Sequence, residues 1–357
     1  MTGRSRILPL RLSFSLGISI FFLIMACIPT ILALLGVAGG GIAQLDMLNK
    51  IGISAILALS LNIILGHTGL FHMGHTAFFA VGAYATAILN TLYHWPIFAT
   101  LPVAGILAAI FALLIARPII HLRGDYLLIV TIGIVEIMRI ALLNNIFGLT
   151  GGANGIYGIS RPVLFDLVFK TPQLQFYLIW GFAAVTVILF YLLEHSRFGR
   201  ALNYIRYDDV AAGGCGINVA RYKLAAFMLG AFWAGMAGTL YAANIRTIEP
   251  SSFNFYESVI LFAIVILGGN GNIAGVLVGA FLLVGLQDVF RGFESARMLI
   301  FGLAMMLMMI FRPQGILPPR RRAYDVASLV GRYPSGLLAS YTPNGKNDKT
   351  NPIGSAL

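Results

Sequence analysis

Apolar runs of about 20 residues recur along almost the whole chain, and this pattern constrains the fold more than any other feature. A helix needs about 20 mostly apolar residues to cross the hydrocarbon core of a bilayer. We therefore predict an all-α fold, a polytopic transmembrane helical bundle of about ten spans, two of them short or broken. The runs lie near 12–35, 47–65, 76–92, 98–116, 124–143, 174–193, 223–243, 256–268, 273–290 and 296–311.

Composition excludes a water-soluble globular protein. Apolar residues make up 59% of the 357-residue chain and charged residues only 10%, whereas soluble domains carry about 25% charged residues. The net charge of +11 comes mainly from Lys and Arg beside the apolar runs, so it indicates membrane orientation rather than a nucleic-acid partner. The expected surroundings are a lipid bilayer, and no nucleic acid is expected to bind.

The distribution of basic residues predicts the orientation of the spans. Arg4, Arg6 and Arg11 precede the first run, and further Lys and Arg concentrate at 117–123, at 194–222 and after residue 311. By the positive-inside rule, these segments are cytoplasmic. We therefore predict that both termini are cytoplasmic. The predicted parts are an N-terminus at 1–11, a transmembrane permease domain at 12–311 and a C-terminal tail at 312–357.

The sequence predicts no ATP-hydrolysing site. A phosphate-binding loop has the form GxxxxGK[ST]. The chain's Gly-Lys pair, Gly345-Lys346, is followed by Asn347 and lacks the upstream glycine. We therefore expect neither enzyme activity nor a cofactor from this chain itself.

Three histidines, His67, His72 and His75, form a cluster at the cytoplasmic end of the third run. His72 and His75 are spaced to share a helix face. Metal ligation would need a third protein ligand and supporting partners, which the nearby sequence does not offer. We predict no metal site and expect interfacial histidines hydrogen-bonded to loop backbone; a membrane-embedded enzyme that uses them is the alternative.

Two ionisable residues fall inside the fifth run. Glu136 and Arg139 lie three residues apart and so share one predicted helix face. An ionisable side chain inside a membrane is costly and faces a cavity or a partner. Two interpretations stay open: the residues line or brace a substrate route, or they form a self-neutralising pair that locks helix to helix.

Glycine interrupts the apolar pattern at 267–280, LGGNGNIAGVLVGA. This stretch breaks what would otherwise be one long helix. Unwound backbone at membrane depth survives only beside protein or a water-filled cavity, which points towards a pathway. The four-residue spacing of Gly271, Gly275 and Gly279 equally suits close helix packing.

The outer loop 144–172 carries a second glycine-rich stretch, LTGGANGI, at 149–156. These residues tolerate unusual backbone angles. A loop of this length in a membrane protein either caps a cavity or simply connects two spans.

Residues 194–224, here called the coupling segment, form the largest polar interruption between the runs. Apolar residues at helical spacing predict a first short helix, and two acidic residues are candidate N-caps of a second. Such helices suit a groove on a partner protein; a basic helix on lipid headgroups is the alternative. The residues are Phe198, Leu202 and Ile205 for the first helix and Asp208, Asp209, Ala211 and Ala212 for the second.

Five segments form an ordered set of motifs. They are LALSLNIILGHTGLFHMGHTAFFAVGAYATAIL, HLRGDYLLIVTIGIVEIMRI, NNIFGLTGGANGI, SRFGRALNYIRYDDVAAGGCGINVARYKLAAF and LIFGLAMMLMMIFRPQGIL. Together they resemble the permease family of branched-chain amino acid ABC importers, specifically its longer subunit type. The resemblance covers roughly residues 45 to 318, and the ordered set is far more specific than any single motif.

The resemblance implies a transport function and a set of partners. The chain would be a permease subunit of an ATP-driven importer that moves leucine, isoleucine or valine across the bacterial inner membrane. The implied partners are a homologous permease, two cytoplasmic ATPases and a periplasmic binding protein. Other amino acids, amides or urea are alternative substrates. An ion-coupled secondary transporter is the alternative of another class, with Glu136 as its best candidate ion site.

Two sets of site residues follow when the motifs are matched position by position. Gly213 and Gly214 replace an acidic residue and an alanine common in the family, so a shorter second coupling helix is expected. The coupling motif comprises Ala211, Ala212 and Gly216, with Arg206, Asp208 and Asp209 beside it. The path candidates are Gly69, Gly74, His75, Glu136, Arg139, Gly151, Gly152, Asn154 and Gly155, to which the glycine-interrupted stretch adds Gly268 and Gly269. His67 and His72 stand where the family usually has other residues.

Overall fold

The architecture comes from a computed structural model that describes residues 40–122, 124–164 and 167–289, with isolated positions at 22, 25, 29, 302–303, 306–307, 310–312 and 315–317. The N-terminus at 1–11 lies outside the described residues. So do most of the first and tenth predicted spans and the tail beyond residue 317.

Ten α-helices account for most of the described chain. In order they are α1 (Gly40–Asn62), α2 (His75–Tyr93), α3 (Ile97–Ile119), α4 (Asp125–Leu143), α5 (Pro172–His195), α6 (Arg197–Tyr207), α7 (Asp209–Gly214), α8 (Val219–Ile245), α9 (Phe255–Gly268) and α10 (Ile273–Val289). Helix α1 continues as a π-helix over Ile63–His67. Single 3-10 turns lie at Ile146–Gly148, Gly152–Asn154 and Pro250–Ser252.

The predicted spans within the described residues are confirmed as helices. Seven described helices are long and apolar enough to cross a membrane. Helix α10 is apolar but shorter. The prediction of a polytopic all-α bundle is therefore confirmed, while the total of ten spans stays a prediction.

Helices α2, α3 and α8 pack through direct backbone contact. A Cβ atom added at Gly82 would lie 2.2 Å from the carbonyl oxygen of Gly235, and one at Gly235 would lie 2.6 Å from that of Ala104. Small residues let helix backbones approach this closely. The face of α3 that meets α8 is a stripe of fully buried alanines at 104, 108, 112 and 116.

Helices α9 and α10 form an antiparallel hairpin that turns at 269–272. A Cβ atom at Gly268 would lie 2.3 Å from the carbonyl oxygen of Gly275, and one at Gly279 would lie 2.5 Å from that of Ile264. Because these two pairs run in opposite directions along the chain, the stretch 267–280 reverses the chain instead of interrupting one long helix. The predicted close packing of Gly275 and Gly279 is confirmed.

The outer loop between α4 and α5 contains three of the four described strands. β1 (Ile156–Tyr157) pairs antiparallel with β4 (Thr247–Ile248), which follows α8. β2 (Val163–Leu164) pairs antiparallel with β3 (Leu167–Val168). The β1–β4 pair ties the outer loop to the end of α8 that lies opposite the coupling segment.

Candidate coupling site and translocation path

The coupling segment folds into two short helices, as predicted. The Ser196 hydroxyl accepts a hydrogen bond from the backbone N–H of Gly199 and caps α6. The Asp208 carboxylate accepts from the N–H groups of Val210 and Ala211, both at 2.9 Å, and caps α7. Helix α7 is only six residues long and ends at Gly214. Because Asp208 satisfies the first free N–H groups of α7, the turn between the two helices is fixed.

Contacts on three sides hold this segment against the transmembrane helices. The Lys223 ammonium lies 3.4 Å from the Asp209 carboxylate, with the Lys223 side chain 11% exposed. The Phe198 and Tyr222 rings stack at 5.6 Å between centroids. The Asn203 Oδ1 atom lies 3.4 Å from the Nδ1 atom of His67 at the end of the π-helix. The segment is thus attached to both α1 and α8.

The predicted coupling residues mostly build the segment instead of presenting a surface. Arg206 points towards the transmembrane helices, where it contacts the carbonyl oxygens of Gly66 and Asn270. Asp208 caps α7 and Asp209 pairs with Lys223. Ala212 is buried, whereas Ala211 and Gly216 are exposed. Burial lowers the pKa of Arg206 from its ordinary value, but an arginine stays charged in proteins.

Residues that the sequence reasoning missed form the exposed surface, here called the coupling face. Tyr204, Tyr207 and Val210 are 58%, 78% and 72% exposed, and the exposed turn 213–216 continues the surface. Beside Val210, a cleft of about 230 Å³ is lined by residues of α7, the start of α8 and the two residues that follow α3. The sequence did carry a signal for this surface, because Tyr204 and Tyr207 lie on the opposite side of α6 from the buried Leu202 and Ile205.

The histidine cluster differs from its prediction in two respects. Helix α2 begins at His75, so His72 lies before it and the two do not share a helix face. All three histidines are buried. His67 and His75 contact side chains instead of loop backbone: His75 Nε2 lies 2.6 Å from Ser60 Oγ, and His67 Nδ1 lies 3.4 Å from Asn203 Oδ1. The expected hydrogen bonds to loop backbone were wrong for His67 and His75, because side chains of α6 and α1 lie within reach of their rings. The interfacial location stays a prediction. Among the described residues, no group of three metal-binding side chains occurs.

His72 is enclosed by aromatic rings. Its ring stacks on Phe78 at 5.6 Å and meets Phe227 edge-on at 5.0 Å. Neither ring nitrogen has a hydrogen-bond partner within the described part of the chain. Burial, and to a smaller extent His75, lowers the pKa of His72 well below 6.5, so the ring is neutral. Gly74 is required here, because a Cβ atom would lie 2.7 Å from the His72 ring.

Glu136 and Arg139 pair with each other on α4. The Arg139 Nη2 and Nε atoms lie 2.8 Å and 2.9 Å from the Glu136 Oε2 atom. The pair is self-neutralising, as one interpretation predicted, but it joins two positions of one helix and does not lock two helices together. Both side chains are about one-third exposed, which leaves a lining or bracing role for them as a prediction.

The outer-loop candidates lie at the other end of the bundle, against the strand pair. Gly155 has a φ of +73°, and a Cβ atom there would lie 2.0 Å from the carbonyl oxygen of Ile248. Gly151 has a φ of +72°, and a Cβ atom there would lie equally close to the carbonyl oxygen of Gly155. Gly152 and Asn154 form a 3-10 turn between them. These residues shape a compact outer platform.

The other glycine candidates lie near the coupling segment. Gly69 has a φ of +72° and faces the side chain of Arg206. Gly268 packs against α10, and the carbonyl oxygen of Leu317 approaches Gly269. The path candidates therefore fall into separate groups at the two ends of the bundle and on α4, and the described residues do not bring them into one site.

Comparison with known proteins adds independent information. The family described as "Branched-chain amino acid transport system / permease component" matches residues 44–311. The chain is 40% identical over 289 residues to the high-affinity branched-chain amino acid transport system permease protein LivM of Escherichia coli (strain K12), covering 74% of this chain and 68% of that protein.

Two further relatives come from Salmonella typhimurium. LivM of that organism is 39% identical over 301 residues, covering 78% of this chain and 71% of the relative. The permease protein LivH of the same named transport system is 25% identical over 287 residues, covering 74% of this chain and 90% of the relative. No solved structure matches the chain.

Proposed function

This chain belongs to the permease family of branched-chain amino acid transport systems, and we propose from that membership that it is a permease subunit of an ATP-driven importer of leucine, isoleucine and valine. It is a multi-pass protein of the bacterial inner membrane. Its similarity to both LivM and LivH indicates a pair of homologous permeases. Two cytoplasmic ATPases and a periplasmic binding protein complete the proposed complex.

The coupling face is the observation that carries the proposal. Tyr204, Tyr207 and Val210 are large side chains on a polar helix pair, and more than half of each is exposed. Aromatic side chains are enriched at protein interfaces, and a short amphipathic helix fits a groove on a partner. We assign this groove to an ATPase, since this chain has no phosphate-binding loop of its own. The coupling segment, both termini and the tail are then cytoplasmic.

The route for the amino acid is assigned to the interface with the second permease. Glu136 and Arg139 form a neutral pair on α4, which offers polar groups without a net charge. A small zwitterion with an aliphatic side chain suits an apolar route with few fixed charges. The outer platform at 151–155, which lies at the opposite end of α8 from the coupling segment, is the proposed side for the binding protein. Movement between two packings, rather than chemistry on this chain, carries the transport work.

The native cysteine Cys215 provides a direct test. It is exposed and directly follows α7. In a Cys27→Ser background, we expect modification of Cys215 by a maleimide to slow by about tenfold when the ATPases are bound, because an interface excludes water. The matched control is Glu249→Cys in a Cys27→Ser/Cys215→Ser background, which places the cysteine at the opposite end of α8. This cysteine is expected to react at the same rate with and without the ATPases. Equal modification of Cys215 with and without the ATPases would contradict the docking assignment.

The energy source is tested by uptake in liposomes. The complete complex is expected to take up radiolabelled leucine only with ATP, and Glu136→Gln is expected to leave this uptake insensitive to ionophores. Uptake that collapses with an ion gradient while ATP persists would favour the ion-coupled alternative. Competition by other amino acids, amides or urea would distinguish the alternative substrates.

A further inference from the structure

Arg206 differs from the other basic residues of the coupling segment because its charged end contacts the transmembrane helices. Its Nη1 atom donates to the carbonyl oxygen of Gly66, in the last turn of the π-helix, and lies 3.5 Å from the carbonyl oxygen of Asn270 in the α9–α10 turn. By contrast, Arg200 on the same helix is exposed and donates to His195 within the segment. One guanidinium therefore joins α6 to two elements that are far apart in the sequence.

Glycines leave the space that this guanidinium occupies. A Cβ atom at Gly271, which has a φ of +90°, would lie 2.7 Å from Arg206 Nη1. A Cβ atom at Gly69 would lie 3.2 Å from Arg206 Cγ. At Gly66, a Cβ atom would lie 2.1 Å from Asn62 Oδ1 and 2.8 Å from the Gly271 backbone nitrogen. The end of the π-helix and the hairpin turn thus approach each other closely at Arg206, with the Asn62 side chain beside them.

The same place is closed by a bond that does not involve Arg206. Asn62 Oδ1 accepts a hydrogen bond of 2.9 Å from the backbone N–H of Gly271. This bond joins the end of α1 to the hairpin turn, and it is expected to persist when Arg206 is replaced. A substitution at Arg206 therefore removes the contact between the coupling segment and the hairpin turn, while the contact of Asn203 with His67 still joins the segment to the π-helix.

The chemistry suits a guanidinium. The last carbonyl groups of a helix lack intrahelical partners, and a cation at this end also interacts favourably with the helix dipole. No ion pair of Arg206 with a carboxylate occurs within the part of the chain that the structure describes, so its charge is directed at backbone oxygens. Both carbonyl oxygens are contacted by Nη1. Lysine would keep the charge, but its shorter side chain ends in an ammonium one bond short of that atom.

We propose that Arg206 is a positioning residue that transmits movement of the coupling segment to the end of α1 and to the α9–α10 turn. This inference rests on the proposed function, since it needs an ATPase to move the segment. The α9–α10 hairpin packs against α1 and α2, and its glycine contacts leave little freedom between its two helices. A shift at the turn therefore moves the hairpin as a unit.

The test uses the complete complex in liposomes with Arg206→Lys and, as a matched control, Arg200→Lys. Arg206→Lys is expected to keep the ATPases bound and hydrolysis active, while leucine uptake per ATP hydrolysed falls by about tenfold, as for the loss of a charge-assisted hydrogen bond. Arg200→Lys is expected to change neither rate. If uptake and hydrolysis fall together in Arg206→Lys, or if uptake per ATP is unchanged, the proposal is wrong.

A second measurement follows the two ends of the proposed link. A bimane probe on Cys215 reports the coupling segment, and one on Asn270→Cys in a Cys215→Ser background reports the turn; both carry Cys27→Ser. In the otherwise unchanged chain, both signals are expected to respond to a non-hydrolysable ATP analogue. In Arg206→Lys, the Cys215 response is expected to persist and the Asn270→Cys response to be lost.

The outcomes separate this inference from the proposed function. A silent Cys215 probe in the otherwise unchanged complex would contradict ATPase docking, and the inference would fall with it. Two outcomes with a responding Cys215 probe would overturn the inference alone. In the first, the turn probe is silent before any change at Arg206. In the second, the turn probe still responds in Arg206→Lys.

Discussion

Helix α8 meets its neighbours backbone to backbone, whereas α4 directs large apolar side chains away from the rest of the described chain. Tyr126, Ile129 and Ile137 on α4 are 74%, 64% and 69% exposed. Of the most apolar stretch of each helix, 61% of the residues are buried in α8 but only 22% in α4. This chain therefore fixes α8 by itself, while the position of α4 depends on what surrounds it.

The charges follow the same division. The α4 helix carries the Glu136–Arg139 pair, about one-third exposed, on a helix that few other residues cover. Lipid is a poor environment for such a pair. In α8 the only charged residue that is buried, Lys223, is paired with Asp209 near the coupling segment. Helix α8 is thus held within the chain along its length, whereas the exposed side of α4 carries polar groups that the described chain does not cover.

The largest effect is expected from adding a methyl group where the backbones of α2 and α8 are in contact. Gly82→Ala would place a Cβ atom 2.2 Å from the backbone of Gly235, and neither backbone can move without displacing α3. We expect a destabilisation of about 3 kcal/mol or more, at the upper end for overpacked cores. The measurement is the fraction of monodisperse protein after solubilisation in detergent and its thermal midpoint.

The matched control is the same substitution on α4. Gly133→Ala places its Cβ atom where no other heavy atom lies within 4 Å, so stability is expected to stay equal or rise by up to about 1 kcal/mol from helix propensity. Equal loss of folded protein in both variants would break the distinction between the two helices.

A smaller effect is expected from separating the charges on α4. Glu136→Gln or Arg139→Gln alone leaves one charge without its partner, and we expect a loss of stability of the order of 1–3 kcal/mol, between the values for exposed and buried pairs. The double variant is expected to recover part of this loss. Thermal midpoints of the four proteins form a double-mutant cycle; additive effects would mean that the pair is not coupled.

The smallest effect concerns pH and the α2–α8 contact. His72 lies between Phe78 and Phe227, and its pKa in the folded protein is lowered well below 6.5. Below a pH of about 6.5 the unfolded chain takes up a proton that the folded chain does not. The free energy of unfolding therefore decreases as the pH falls below that value, by up to about 1.4 kcal/mol per pH unit. His72→Leu is expected to reduce the loss measured between about pH 7.5 and 5.5. An unchanged pH dependence would show that the ring is not the group responsible.

Much of the fold could be predicted from the sequence because the signals were local. Apolar runs placed the described spans to within a few residues. Of the two predicted candidate caps, Asp208 and Asp209, the structure has Asp208 as the cap of α7. The sequence did not show that His72 lies outside α2. His72 and His75 fit a helical spacing, but α2 starts at His75 with Gly74 as its N-cap, so His72 lies before the helix.

The candidate site was only partly predictable because its geometry depends on long-range contacts. Motif matching selected Arg206 and Asp209 correctly as members of the segment but could not tell that their side chains point inward, since their partners lie in α1, α8 and the α9–α10 turn. The same glycine spacing is compatible with a broken helix and with a hairpin. Contact with residues 264–268 decides between them.

The pairing of β1 with β4 has a consequence for the order of biogenesis. Residues 156–157 leave the ribosome long before residues 247–248, and four helices must be synthesised in between. During translation β1 therefore has no partner strand, and the pair is completed by β4 only when α8 has crossed the bilayer. A chain truncated within α8 would be inserted with its outer surface unfinished, exposed to proteases and quality control on that side of the membrane.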